Sequence, residues 1–332
     1  MTAQSRRRLS ALVRYTICIA AVTWLVADTE WARVKEVLAL ASGNWQLLVI
    51  GIAAFGPAPV IISVRLKLLL AVHEVDLTVW QAIKVTFAGN FIISALPVGT
   101  PGGDAAKAYY VARDTPYKHE AVTTVLVDRV IGVVGLVGLA SVVLLVNWGN
   151  PAFAVWGRII AVVVTVMIVS AGVYFSRRMR ALLRLERIVA FMPFASHIQR
   201  IDQAAFAFRH RIGRLAGCLV LTVILQLIVI ISLFLAGWAL GIVGEGPRSA
   251  LPVYLGYIPI CLLAGVAPIG VMEEVFKRLF VDAAHLGPPE AARLLSLLGR
   301  LIQLVWALPG ALVVLGAGRP RPEAPAEPGN RC

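Results

Sequence analysis

Pro97-Val98-Gly99-Thr100-Pro101-Gly102-Gly103-Asp104-Ala105-Ala106-Lys107 closes an apolar run that begins near Val85. Two prolines and three glycines interrupt the helical pattern, and an acid and a base follow at once. Asp128-Arg129 then opens the next apolar run. In a bilayer, non-helical backbone is tolerated only where protein or a water-filled cavity surrounds it. A charge near the bilayer centre costs roughly 2.5–3.5 kcal/mol on the lenient insertion scale. A chain that keeps both features together has a use for them.

The rest of the chain is built for lipid. Its 332 residues are 59% hydrophobic and the mean hydropathy is +0.82, which excludes an ordinary soluble domain. The net charge of +13 sits in loops beside apolar runs. The positive-inside bias and anionic lipid account for it there, and no nucleic-acid partner is expected. The four cysteines, Cys18, Cys218, Cys261 and Cys332, have no disulfide or metal spacing. Arg6-Arg7-Arg8 precede an apolar run without a small-residue cleavage site, so that run reads as a retained span.

Runs long enough to span lie at 10–27, 45–64, 123–146, 159–175, 215–243 and 301–316, with irregular runs at 85–101 and 253–271. The segment 176–214 holds nine arginines and two acids and is the strongest cytoplasmic signal; the arginine-rich N-terminus is the second. An even number of crossings must separate them, yet five apolar runs intervene. The run at 85–101 is therefore expected to be re-entrant. The second irregular run repeats the pattern: Lys107 and Arg129 follow Pro97 by ten and thirty-two residues, and Arg278 and Arg300 follow Pro268 at the same offsets. Asp104 has no partner in that alignment, and Glu273 and Glu274 sit nearer their proline.

The fold class expected is all-α: a polytopic membrane protein of about six spans plus two re-entrant segments, or eight spans, built as an inverted repeat. The first membrane half occupies 1–175, with 159–175 already beginning the second repeat. A basic amphipathic cytoplasmic segment covers 176–214, the second membrane half 215–316, and a disordered tail 317–332. Inverted repeats with broken helices are a transporter signature.

These motifs resemble the lysylphosphatidylglycerol synthase transmembrane-region family of flippase-like membrane proteins. One motif of that family is Pro-x-x-x-Gly-Gly-Asp-x-x-Arg-x-Tyr. It corresponds here to Pro97, Gly102-Gly103-Asp104, Lys107 and Tyr109, with lysine replacing arginine and one extra residue in the turn. The acid–arginine pair followed by glycine is Asp128-Arg129 and Gly132. The third motif survives as Pro268-Ile269-Gly270-Val271-Met272-Glu273 with Arg300; one glycine is missing and Met272 stands where an arginine is expected. The resemblance covers nearly the whole chain. It implies lipid translocation or handling in the bacterial cytoplasmic membrane, N-terminus inside. It does not imply lysyl transfer, because the chain ends about where the membrane part ends.

The candidate substrate-binding residues are Asp104, Lys107, Asp128, Arg129, Glu273, Glu274 and Arg300. Pro97, Gly99, Gly102, Gly103, Pro268 and Gly270 form the re-entrant backbone. Each carries two readings. Asp104 and Lys107, three apart on a helix starting after Gly103, would meet a headgroup or simply form a cap and an interfacial ion pair. Arg129 and Arg300 would hold a phosphate through a guanidinium fork, or snorkel, or pair with a local acid. Glu273 and Glu274 would meet a cationic headgroup or a proton, or be neutralised by Lys277 and Arg278. Gly132, Gly135 and Gly138 read as helix packing. The five histidines are scattered and no nucleotide-binding motif is present, so neither metal nor cofactor is expected. The leading expectation is a non-enzymatic translocase for a polar-headgroup lipid: a phospholipid, aminoacyl-phospholipid, hopanoid or isoprenoid glycolipid. Its rivals are a non-transporting partner of a glycosyltransferase or lipid-synthesis enzyme, docked through the basic helices, and a membrane-embedded transferase.

Overall fold

The structure, a computed structural model, describes residues 31–95, 99–113, 115, 117–147, 149, 153–175, 208, 211–264 and 271–316. The expected span at 10–27, the breaker residues Pro97, Pro268 and Gly270, the tail at 317–332, and the basic segment apart from Phe208 and 211–214 lie outside these residues.

Every regular element described is helical. In chain order these are α1 (Trp31–Gly43), α2 (Trp45–Ala54), α3 (Pro57–Leu70), α4 (Val79–Ala95), α5 (Gly99–Arg113) and α6 (Lys118–Val146). There follow α7 (Ala154–Phe175), α8 (Ile212–Ala239), α9 (Pro247–Ala264), α10 (Val271–Lys277), α11 (Pro289–Ala307) and α12 (Pro309–Gly316). A 3₁₀ turn ends α3, and a π-helical stretch at Arg278–Ala283 follows α10.

Among the described residues four stretches are long and apolar enough to cross a membrane: Trp45–His73, Lys118–Val146, Ala154–Val173 and Ile212–Ala239. They coincide with four of the expected spans. The expected run at 301–316 is instead part of a bent pair: α11 and α12 meet at 51° across Leu308 and together make a fifth candidate. Pro309 explains the bend, since it removes an amide donor and disfavours helical backbone at the residue before it.

Each irregular run is described as a helix on either side of residues outside the description: α4 and α5 flank 96–98, and α9 and α10 flank 265–270. α4 and α5 pack along each other in a tight hairpin. A Cβ on Gly103 would fall 2.0 Å from Ile93 Cγ1 and 2.7 Å from the Gly89 carbonyl oxygen. One on Gly89 would fall 2.4 Å from Lys107 Cγ. The order of these contacts makes the two helices antiparallel. One expectation is corrected here. α5 starts at Gly99, not after Gly103. Pro101 fits the first turn, where its missing N–H has no intrahelical acceptor in any case. The two glycines are thus helical, and Gly103 serves close approach instead of a loop. The reading of Gly132, Gly135 and Gly138 as one packing stripe also narrows: among the described residues only Gly135 has a close neighbour, Thr222, while the other two have none within 4 Å.

α8 runs through the middle, packed on α2, α3, α6, α9 and α11. Exchanging α2–α3 for α8, α4 for α9, α5 for α10 and α6 for α11 maps much of the packing onto itself. α4 on α11 answers α9 on α6, α5 on α6 answers α10 on α11, and α3 on α6 answers α8 on α11. The main core gathers Tyr254, Tyr257, Phe276 and Phe280, all fully buried. Tyr254 lies across Gly237, where a Cβ would meet its hydroxyl at 1.9 Å, and donates to the Ile242 carbonyl at 2.9 Å. Because lipid is as apolar as leucine, such close packing, not exclusion of water, holds these helices together.

Candidate functional site

Asp128 and Arg129 are consecutive on α6, so their side chains leave the helix about 100° apart. That rotation sends them to different partners. Asp128 faces α3 and is held by Arg65: Nε donates to Oδ1 at 2.7 Å and Nη2 to Oδ2 at 3.0 Å. The third arm, Nη1, donates to Thr222 Oγ1 on α8 at 2.9 Å, and the Thr222 hydroxyl donates to the Cys218 carbonyl at 2.7 Å. Arg65 and Asp128 are each 6% exposed, and Thr222 is sealed. This bidentate pair ties three helices and spends both carboxylate oxygens of Asp128.

Arg129 turns to α5, where Nη2 donates to Asp104 Oδ1. This pair is far more open, with side chains 41% and 18% exposed. Asp104 is accordingly neither a cap nor free. Lys107, one turn on, lies inward of it; only 5% of the residue is exposed, and its stem fills the groove over Gly89. Its charged neighbours are Arg129, Asp128, Asp104 and Arg65. The cluster therefore grades from an open pair at Asp104–Arg129, through Lys107, to a sealed floor at Arg65–Asp128–Thr222.

The second half builds a related arrangement at α10 and α11. Glu273, in the first turn of α10, is completely buried and accepts from Arg300 Nε at 3.2 Å and Ser296 Oγ at 3.4 Å. Its neighbour Glu274 leaves the helix about 100° away and pairs with exposed Arg278 one turn later, at 2.9 Å. The two glutamates are thus separated by environment. Arg293 and Glu290, on α11 upstream of Ser296, are 4% and 5% exposed.

Of the predicted residues, then, Asp104, Lys107, Asp128 and Arg129 converge in one cluster, and Glu273 and Arg300 in another. Glu274, itself half-buried, pairs within α10 and its continuation to exposed Arg278. The acid missing from the sequence alignment is present in space: Asp104–Arg129 joins α5 to α6, and Glu273–Arg300 joins α10 to α11. Arg278, aligned with Lys107 by offset, is exposed where Lys107 is buried. In both pairs the arginine keeps a buried nitrogen without a partner among the described residues, Nε of Arg129 and Nη2 of Arg300. An unspent, desolvated guanidinium N–H is a ready donor to an oxyanion.

Sequence reasoning missed Arg65, Thr222, Arg293 and Ser296. The signal for Arg65 was available: a carboxylate inside an apolar helix needs a cation, and adjacent Arg129 cannot face the same way. Arg65 stands at the end of the 45–64 run, where it reads as an interfacial charge. Arg293, Ser296 and Arg300 recur at helical spacing, which marks one face of α11.

A search of curated proteins and one of solved structures returned no match. The family model described as lysylphosphatidylglycerol synthase TM region matches residues 11–310. A match over so much of the chain places it: this protein belongs to the lysylphosphatidylglycerol synthase transmembrane-region family, and is thus a membrane protein of a lipid-related family.

Proposed function

We propose that the protein translocates a polar-headgroup lipid across the bacterial cytoplasmic membrane. The headgroup passes the two broken helices while the acyl or isoprenoid tails stay in lipid. The observation that carries this reading is the repeated ion pair, Asp104–Arg129 and Glu273–Arg300, each built on a helix that follows an interruption. Broken helices and ionisable side chains at membrane depth mark substrate paths. The paired packing of the two halves supports an inverted repeat whose second broken element opens to the opposite side. Neither arginine is fully spent on its carboxylate, so each can exchange part of that contact for a lipid oxyanion as the headgroup arrives. The energy source is an ion gradient or the gradient of the lipid itself.

Proteoliposomes test the proposal. The purified chain is reconstituted with a headgroup-labelled phospholipid, and loss of label from one leaflet is followed with a membrane-impermeant quencher. The wild-type chain accelerates exchange; Arg129→Ala and Arg300→Ala insert normally but do not. Wild-type rates in both folded variants would end the proposal.

A further inference from the structure

We propose that the bend between α11 and α12 is a hinge. α11 is pinned to the first half of the chain at the interruption between α2 and α3, and α12 swings on Pro309, carrying α4 with it. The use of such a swing, moving a headgroup, rests on the translocase reading; the hinge itself rests on backbone geometry.

The pin begins with a proline. Pro57 has no N–H, and around it the helical bonds shorten: Gly56 N donates to the Ala53 carbonyl at 2.9 Å, and Ala58 N to the Phe55 carbonyl at 2.9 Å. The Gly56 amide has thereby left the carbonyl four residues back, that of Ile52. Trp306 on α11 takes its place, with Nε1 donating to the Ile52 carbonyl at 2.7 Å. The indole lies over Gly56, where a Cβ would fall 2.8 Å from Cζ2 and Cη2. One residue before Ile52, the Gly51 carbonyl accepts Ser232 Oγ of α8 at 2.7 Å. The backbones are close here, since a Cβ on Gly51 would stand 3.0 Å from the Ser232 carbonyl oxygen. Two consecutive carbonyls of the first half are thus held by side chains of the second. No water in the bilayer core can replace those donors, so the halves turn about this contact and do not part at it.

Three residues past Trp306 comes Pro309. It cannot donate to the Val305 carbonyl, and the Leu308 amide divides between Leu304 at 3.0 Å and Val305 at 3.4 Å. The axis turns by 51°. Beyond the turn, α12 lies on α4: a Cβ on Gly310 would fall 2.0 Å from the Phe87 carbonyl oxygen and 2.9 Å from Phe91 Cβ. Backbone meets backbone there, which couples α12 to α4, and α4 in turn holds α5 at Gly89 and Gly103. α4 also packs on α11, and along that face the motion is a slide. The exchange of halves gives no reason for either interruption. α6, the counterpart of α11, runs unbroken for 29 residues, and α8, the counterpart of α2–α3, for 28. The two prolines stand on one member of each exchanged pair, and the interruptions they make meet at Trp306. Rocking of one half against the other needs a fixed point and a soft joint; Trp306 and Pro309 supply them side by side.

Paired spin labels on the full chain test the hinge, in nanodiscs of phosphatidylethanolamine and phosphatidylglycerol. Cys18 and Cys332 are replaced by serine, and the buried Cys218 and Cys261 stay. Leu312→Cys on α12 and Leu301→Cys on α11 are exposed, and each is paired with exposed Val49→Cys on α2. The α12–α2 distance should take two values and the α11–α2 distance one. Pro309→Ala restores the missing amide; it should collapse the α12–α2 distance to one value and slow lipid exchange in proteoliposomes roughly tenfold. Trp306→Phe keeps a ring over Gly56 and removes the N–H; it should broaden the α11–α2 distance. A single α12–α2 distance before any change at Pro309, or two values that persist in Pro309→Ala, overturns the hinge. An α11–α2 distance as broad as the α12–α2 distance, or one that Trp306→Phe leaves narrow, overturns the pin. None of these outcomes touches the translocase reading, which fails separately if Arg129→Ala and Arg300→Ala exchange lipid at wild-type rates.

Discussion

Two arginine–carboxylate pairs of the same chemistry meet on α6 in different surroundings, and that difference predicts opposite behaviour. Arg65 and Asp128 are 6% exposed and share two hydrogen bonds, with a third to Thr222. Arg65→Met removes all three and strands a carboxylate away from water. Breaking a buried pair from one side costs about 3–5 kcal/mol. Arg129 is 41% exposed in its pair with Asp104, and an open pair contributes about 0–1 kcal/mol. Arg65→Met should therefore cost about 3 kcal/mol more than Arg129→Met, some two orders of magnitude in the folding equilibrium. Reversible unfolding in mixed dodecyl sulfate micelles reads the difference. The double variant Arg65→Met/Asp128→Leu should regain most of the loss, because an apolar replacement of a buried ion pair is often neutral. The argument fails if Arg65→Met costs no more than Arg129→Met, or if the double variant is as unstable as the two single changes added together.

Further outcomes follow from the helix contacts. Gly103→Ala forces a methyl into Ile93 and the Gly89 carbonyl, so it should open the α4–α5 hairpin and cost about 1–3 kcal/mol, whereas Gly132→Ala, with no neighbour within 4 Å, should be neutral or slightly stabilising; the same micelle unfolding distinguishes them. Glu273→Gln keeps the shape but removes the countercharge of Arg300, and should abolish lipid exchange in proteoliposomes while Glu274→Gln, whose partner Arg278 is exposed, leaves exchange near wild type.

Much of this architecture was legible because hydropathy reports lipid contact directly. The stretches around 45–64, 123–146, 159–175 and 215–243 emerge as helices with little ambiguity. Proline and glycine statistics were less informative about where α5 starts. Pro101 signals an interruption and a first helical turn equally well, and tertiary contact at Gly103 settles it. Among the site residues, Asp104, Arg129, Glu273 and Arg300 could be named from their place beside the breaks. Their pairing could not, since the offsets of the acids from their prolines differ between the halves. Arg65 was hidden by position: a basic residue ending an apolar run ordinarily snorkels, and only the packing of α3 and α8 around Asp128 turns it inward. Burial separated Glu273 from Glu274, and no residue-type rule distinguishes adjacent glutamates that leave the helix about 100° apart.

The central claim is that the paired ions on the two broken helices form a lipid headgroup site. Native mass spectrometry of the gently purified chain tests it most directly, comparing wild type with Arg129→Ala and Glu273→Gln. The account predicts one defined lipid class retained by wild type and lost from both variants. Co-purifying lipids that mirror the bulk membrane, unchanged by either substitution, would contradict it.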